Sequence, residues 1–209
     1  MALFSGDGWL FLLRWLHFLA GITWIGMLYY FNFVQTPFFA TAEAPVRTGM
    51  VAGGLVDRAL WWFRWGAMIT FITGWLYLLH LAFARYGGIG GFFADAYGFK
   101  IIYGGLLGTV MWFNVWFVIW PAQRKILPAV RDGATVDPAL PKKALRASRA
   151  NAYMSGPMLF GMLAPNHFGG FDIVSGAVAI ALGLVAIWWA LGQASSAGTD
   201  IATPPSAKT

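Results

Sequence analysis

The chain has 209 residues, of which 59% are hydrophobic and 11% charged, with 14 Lys and Arg against 8 Asp and Glu and no cysteine. Soluble domains carry roughly 45–50% apolar and about 25% charged residues, so this composition excludes an ordinary soluble protein, and its long runs nearly free of charge indicate a polytopic membrane protein. The absence of cysteine excludes disulfides, iron–sulfur clusters and covalent c-type haem, and the net charge of +6 lies in loops between apolar runs, where it sets topology and does not point to nucleic acid.

The first apolar run covers about residues 9–34, long enough to cross a bilayer with some tilt. No basic segment or small-residue cleavage site precedes it, so it reads as a retained helix and not as a signal peptide. Pro37 and the mixed stretch 40–54 predict a loop with a short surface helix. A second run, 59–83, opens on Trp61, Trp62, Phe63, Arg64 and Trp65, a mixture suited to a membrane interface. The glycine-rich stretch 87–91 predicts a loop, and a third run, 99–120, ends at Pro121. A polar, basic loop, 123–143, precedes a fourth run, 145–163, which starts polar and carries Gly156-Pro157, the signature of a kink. The fifth run covers 173–191. The expectation is an all-α, polytopic membrane helix bundle of about five transmembrane helices over 1–192, followed by a polar, disordered tail over 193–209.

Threading five spans in order divides the fourteen cations three against eleven, with Arg14, Arg85 and Lys100 on the N-terminal side. The positive-inside rule then places the N-terminus outside and the C-terminus in the cytoplasm of a bacterial-type inner membrane.

The same threading places all three histidines, His17, His80 and His167, on the N-terminal side. Histidine in lipid is costly and marks sites that bind or move something. Arg14 lies three residues before His17 on the same helical face. Such a pair suits ligation of a haem iron with neutralisation of a propionate, and Gly21 on that face would let a flat macrocycle approach the backbone. The competing structural reading has Arg14 snorkelling to the interface and His17 bonding a neighbouring helix. His80 sits near the same depth on the second span, with Tyr77 and Thr73 on its face, either as an interfacial histidine or as the second iron ligand. His167 lies in a turn on the same side, as a third ligand, a substrate contact, a proton carrier or a plain surface group. Lys100 opens the third span, to pair with a propionate or to anchor the helix end by snorkelling. Asn114, Asn151 and Ser155 read as polar links between helices, and Gly104, Gly105 and Gly108 as a small-residue packing face. No residue stands out as catalytic.

Several blocks resemble one family. Leu13-Arg14-Trp15-Leu16-His17 with Ala20-Gly21-Ile22-Thr23-Trp24-Ile25-Gly26 resembles the first helix of the PuuD-type urate hydroxylase membrane domain, the urate oxidase N-terminal domain. Trp62-Phe63-Arg64-Trp65, the run from Asn114 to Lys125, and the stretch from Asp137 through Ser148, Asn151, Pro157 and Asn166-His167 resemble its later blocks, in the same order. Full members of that family carry a C-terminal cytochrome c domain, which a chain without cysteine lacks, and their His- and Gly-rich stretch between the first two spans is replaced here by 45–57. A looser similarity links the first helix to CopD-type copper-resistance proteins and to HemJ-type protoporphyrinogen oxidases.

The resemblance implies a membrane redox protein with haem b near the outer face, held by His17 and His80, with Arg14 and Lys100 on its propionates. Its implied activity is that of an oxidoreductase, urate hydroxylase-like or protoporphyrinogen oxidase-like, that exchanges electrons with a separate c-type cytochrome. The expected surroundings are the lipid membrane and further copies of the chain or a larger membrane complex. Two other classes stand beside this one: a copper- or metal-handling protein using the same histidines, and a cofactor-free accessory subunit of a membrane complex.

Overall fold

The computed structural model describes residues 5–169 and 173–198, and residues 1–4, 170–172 and 199–209 lie outside it. The described residues form nine α-helices and no strand. In chain order they are α1 (Gly6–Tyr29), α2 (Thr36–Thr41), α3 (Ala44–Ala52), α4 (Leu55–Arg85), α5 (Ile89–Ala94), α6 (Ala96–Phe113), α7 (Trp120–Arg131), α8 (Ala139–His167) and α9 (Ile173–Gln193). Ser5 caps α1 by accepting from the Gly8 amide, and Asp95 caps α6 by accepting from the Tyr97 amide. Positive φ angles at Gly87 and Gly88 make the tight turn between α4 and α5.

Among the described residues, four helical segments are long and apolar enough to cross a membrane: Gly6–Thr41, Leu55–Arg85, Ala96–Arg131 and Ile173–Gln193. Their outer surfaces are apolar in kind: Ile22, Phe83, Phe99, Leu182 and Trp188 are all exposed. A soluble protein would bury such side chains, whereas here they meet lipid. The protein is a multi-pass, all-α membrane bundle.

Two of these segments run further than their sequence suggests. Pro37 and Pro121 do not end the helices that contain them. Each is preceded by a π-helical stretch, Tyr30–Gln35 and Asn114–Ile119, in which the Thr36 and Trp120 amides donate to Phe31 and Val115, five residues back. A proline ring clashes with the carbonyl four residues before it and offers no amide in return. Widening the turn relieves both problems, so the helix continues through α2 and α7.

α8 differs from the other long helices. Lys142, Lys143, Arg146 and Arg149 make its first half too polar to count among the apolar spans, although its 29 residues run antiparallel to α6. Its inward face is a ladder of small polar groups. The Tyr29 hydroxyl and Ser155 Oγ share a hydrogen bond of 2.9 Å, Asn32 Nδ2 donates to Ser148 Oγ at 2.8 Å, and Asn114 Nδ2 donates to Asn151 Oδ1 at 2.8 Å. Asn151 also donates to the Met111 carbonyl at 2.9 Å. Asn32, Asn151 and Ser155 are almost wholly buried. α8 is thus held by hydrogen bonds to the helices that carry the two π-helical stretches. Backbones also meet directly: Gly104 packs on Gly161 and Gly156 on Gly183, joining α8 to α6 and α9.

The ladder makes a measurable prediction. Asn151→Leu removes the acceptor of Asn114 and the donor to Met111, at a cost of about 1–2 kcal/mol. Asn114→Leu in the same background should cost less than it does alone, because its partner has already gone. A double-mutant cycle from reversible unfolding in detergent micelles reads this coupling.

Candidate functional site

α1 and α4 cross closely. At Gly66 an added Cβ would sit 3.1 Å from the Trp24 amide nitrogen and 3.3 Å from the Ala20 carbonyl oxygen. At Gly74, two turns on, it would lie 2.8 Å from His17 Cε1 and 3.0 Å from Nδ1. The missing side chains let the imidazole lie flat against α4. There its Nδ1 is 2.9 Å from the Thr70 carbonyl oxygen. A carbonyl only accepts, so Nδ1 carries the proton, and in the neutral ring Nε2 keeps its lone pair.

His17 borders a cavity of about 420 Å³ between α1, α4, α6 and the end of α8, lined mostly by apolar groups. Phe71, Trp75, Ile101, Met158 and Met162 contribute to its walls, and Gly21, Gly105 and Gly108 leave parts of them bare. The Trp75 indole donates to Thr109 Oγ1 at 3.1 Å, which fixes one wall. Trp24 also borders the cavity, and its buried indole nitrogen has no hydrogen-bond partner among the described residues. Arg14 reaches the same space, donates to the Tyr77 hydroxyl, and holds its guanidinium carbon 4.9 Å from the centre of the Tyr77 ring. Tyr97 on α6 lines the cavity as well.

The six residues singled out from the sequence do not all meet here. Arg14, His17 and Gly21 line the cavity. His80 is exposed on α4 and does not line it. Thr70, Gly74 and Tyr77 define the stripe of α4 that faces α1, and His80 falls off that stripe by roughly a quarter to a third of a turn at 3.6 residues per turn. Tyr77 therefore serves Arg14 and does not orient His80, and Thr73 is occupied in donating to the Ile69 carbonyl at 2.6 Å. Lys100 donates to the Phe168 and Gly169 carbonyls at 3.1 and 3.3 Å, which ties the start of α6 to the end of α8 outside the cavity. His167 is exposed at the end of α8, while its neighbour Asn166 borders the cavity. Of the small-residue face on α6, only Gly104 meets another backbone; Gly105 and Gly108 face the cavity.

Sequence reasoning passed over Thr70 and Gly74, the two residues that seat His17. Their signal was present as small residues at spacings of four and seven along the second span, Gly66-Thr70-Gly74-Tyr77. Met158 and Met162 gave no such signal, because a methionine on a membrane helix reads as packing.

An apolar helix bundle with one histidine, fixed in tautomer, in a membrane-embedded cavity defines a multi-pass membrane protein with a built intramembrane site. Residues 88–192, half of the chain, match the urate oxidase N-terminal family. The chain belongs to that family. The match begins after α4, so α1 and His17 lie outside it. No curated protein and no solved structure matches the chain.

Proposed function

We propose that this protein is a membrane redox protein that holds haem b in the cavity beside His17. The observation that carries this reading is the His17 imidazole itself, its Nδ1–H committed to the Thr70 carbonyl and its Nε2 left as a ligand inside an apolar, membrane-embedded space. Metal-bound histidines are held in this way, with the distal ring nitrogen donating to a carbonyl or carboxylate. The rest of the lining fits the same group. Bare glycine walls and flat aromatic surfaces accommodate a macrocycle, and Arg14 supplies a cation for a propionate. Haem held here would supply one-electron chemistry, with its potential set by the axial ligands and burial.

The chain's own contribution is positional. Thr70 and Gly74 fix the imidazole, Tyr77 fixes Arg14, and α6 and α8 keep water and lipid from one side. The Met158 and Met162 thioethers, and not His80, share the cavity with His17 and would be the side chains available as a further ligand to a bound iron. Arg14 alone takes the propionate role, because Lys100 is engaged at the end of α8. The excess of cations on the opposite side supports an orientation with the cavity near the outer face of a bacterial-type inner membrane, where a separate c-type cytochrome would exchange electrons with it. The family's name makes urate the first substrate to assay.

One observation favours a second reading. An imidazole with two thioethers is also a ligand set for copper(I). The test is a reduced-minus-oxidised optical spectrum of the detergent-purified protein, made under haem-replete conditions. A b-type Soret and α band are expected. No haem, together with copper(I) retained at one equivalent, would overturn the redox reading in favour of metal handling.

A further inference from the structure

Arg64 lies on the opposite side of the bundle from His17, near the start of α4. Its guanidinium carbon sits 3.8 Å from the ring centre of Trp120, 5.9 Å from Trp116 and 6.0 Å from Trp65. The cage is rigid: the Trp116 indole donates to the Arg64 carbonyl at 3.1 Å, and the Trp65 and Trp116 rings meet edge-to-face at 5.6 Å. Stacking spreads favourable contact over the faces of the guanidinium and leaves its N–H edge free.

Among the described residues no side chain or carbonyl is bonded to that edge. Arg64 Nε is buried without a hydrogen-bond partner. Among the described residues the salt bridges are Arg85 with Asp7 and Arg131 with Asp57, so no carboxylate serves Arg64. Arg124 lies one turn beyond Trp120 on α7, the residue whose ring the Arg64 guanidinium covers. Two guanidinium groups at the membrane boundary, with no acid beside them among the described residues, form a site suited to a shared anion.

We propose that Arg64 and Arg124 bind the phosphate of an anionic phospholipid in the leaflet on the cation-rich side. The surroundings favour a lipid over a free anion. Trp61, Trp62 and Phe117 are exposed around the cage and give acyl chains an apolar surface. A phosphodiester accepts a paired donation from the free guanidinium edge, and the interfacial indoles sit at headgroup depth. This site is separate from the His17 cavity and does not depend on what that cavity holds.

The test is native mass spectrometry and thermal unfolding of the purified protein. It is titrated with palmitoyl-oleoyl phosphatidylglycerol, with the matching phosphatidylcholine, and with glycerol 1-phosphate. Phosphatidylglycerol should bind more tightly than phosphatidylcholine and raise the melting temperature. Arg64→Gln and Arg124→Gln should each weaken phosphatidylglycerol roughly fivefold, while Lys143→Gln leaves it unchanged. Arg124 is exposed, so its variant keeps the indole cage intact and separates lost binding from lost folding. Equal binding of the two lipids, an Arg124→Gln protein that binds as the wild type does, or glycerol 1-phosphate binding as tightly as the lipid would each overturn the assignment.

Discussion

Replacing His17 with alanine should abolish the b-type Soret and α bands while leaving the helical content unchanged. The imidazole is half-buried beside the cavity, and no other histidine reaches that space. Without it a haem in this cavity would have no imidazole ligand, and apolar contacts alone would not retain it through purification. Gly74→Ala is the more revealing variant, because His17 stays in the chain. The new Cβ would lie 2.8 Å from Cε1 and 3.0 Å from Nδ1, where the ring cannot remain while bonded to Thr70. Haem affinity should fall about 10–100-fold, the usual effect of losing the group that orients a ligand histidine. Alanine also favours helix over glycine by about 1 kcal/mol. Lost haem without lost melting temperature would therefore locate the defect at the ring. A Gly74→Ala protein with wild-type haem content and spectrum would show that the seat of the imidazole does not matter to binding.

Gly161→Ala and Gly156→Ala should be among the most destabilising single-methyl changes in the chain. At Gly161 the added carbon meets Gly104 Cα and N at 2.8 Å, and at Gly156 it meets the Gly183 carbonyl oxygen at 2.8 Å. These neighbours are backbone, so no side chain can swing aside and the helices must separate. We expect each to cost about 3 kcal/mol, the upper part of the range for overpacking a tight core. The consequences differ. Gly161→Ala pushes α6 from α8 and opens the cavity wall that carries Met158 and Met162. Gly156→Ala loosens α9, which has few buried residues of its own and keeps Trp188 and Trp189 exposed. Gly192→Ala is the control, since no atom lies within 4 Å of its added carbon. Reversible unfolding in micelles, monitored by circular dichroism, reads all three. A Gly161→Ala protein as stable as the Gly192→Ala control would contradict the close α6–α8 packing.

Several features of the site were legible because they are local. Arg14, His17 and Gly21 lie on one face of one helix by spacing alone, and that face does line the cavity. His80 was not legible in the same way. Its depth follows from counting along α4, but its direction depends on how α4 is rotated about its axis. That rotation is set by Gly66 and Gly74 packing on α1, a contact between residues some 50 positions apart. The prolines misled for a related reason. Taken alone, Pro37 and Pro121 end helices, and only the π-helical stretches before them, locked to α8 through Asn32 and Asn114, let the helices continue.

By itself, then, the sequence determined the solvent and the class of this protein. Apolar runs without charge can only be stable as helices in lipid, and that follows from backbone hydrogen bonding whatever the neighbours are. Only the tertiary structure decided which polar groups share a space. It brought Thr70, Gly74, Tyr77 and the two methionines to His17, turned His80 outward, and engaged Lys100 at a helix end. The physical reason is that helix formation is local, whereas the rotation and approach of one helix against another depend on close contacts between distant small residues, which a one-dimensional pattern does not encode.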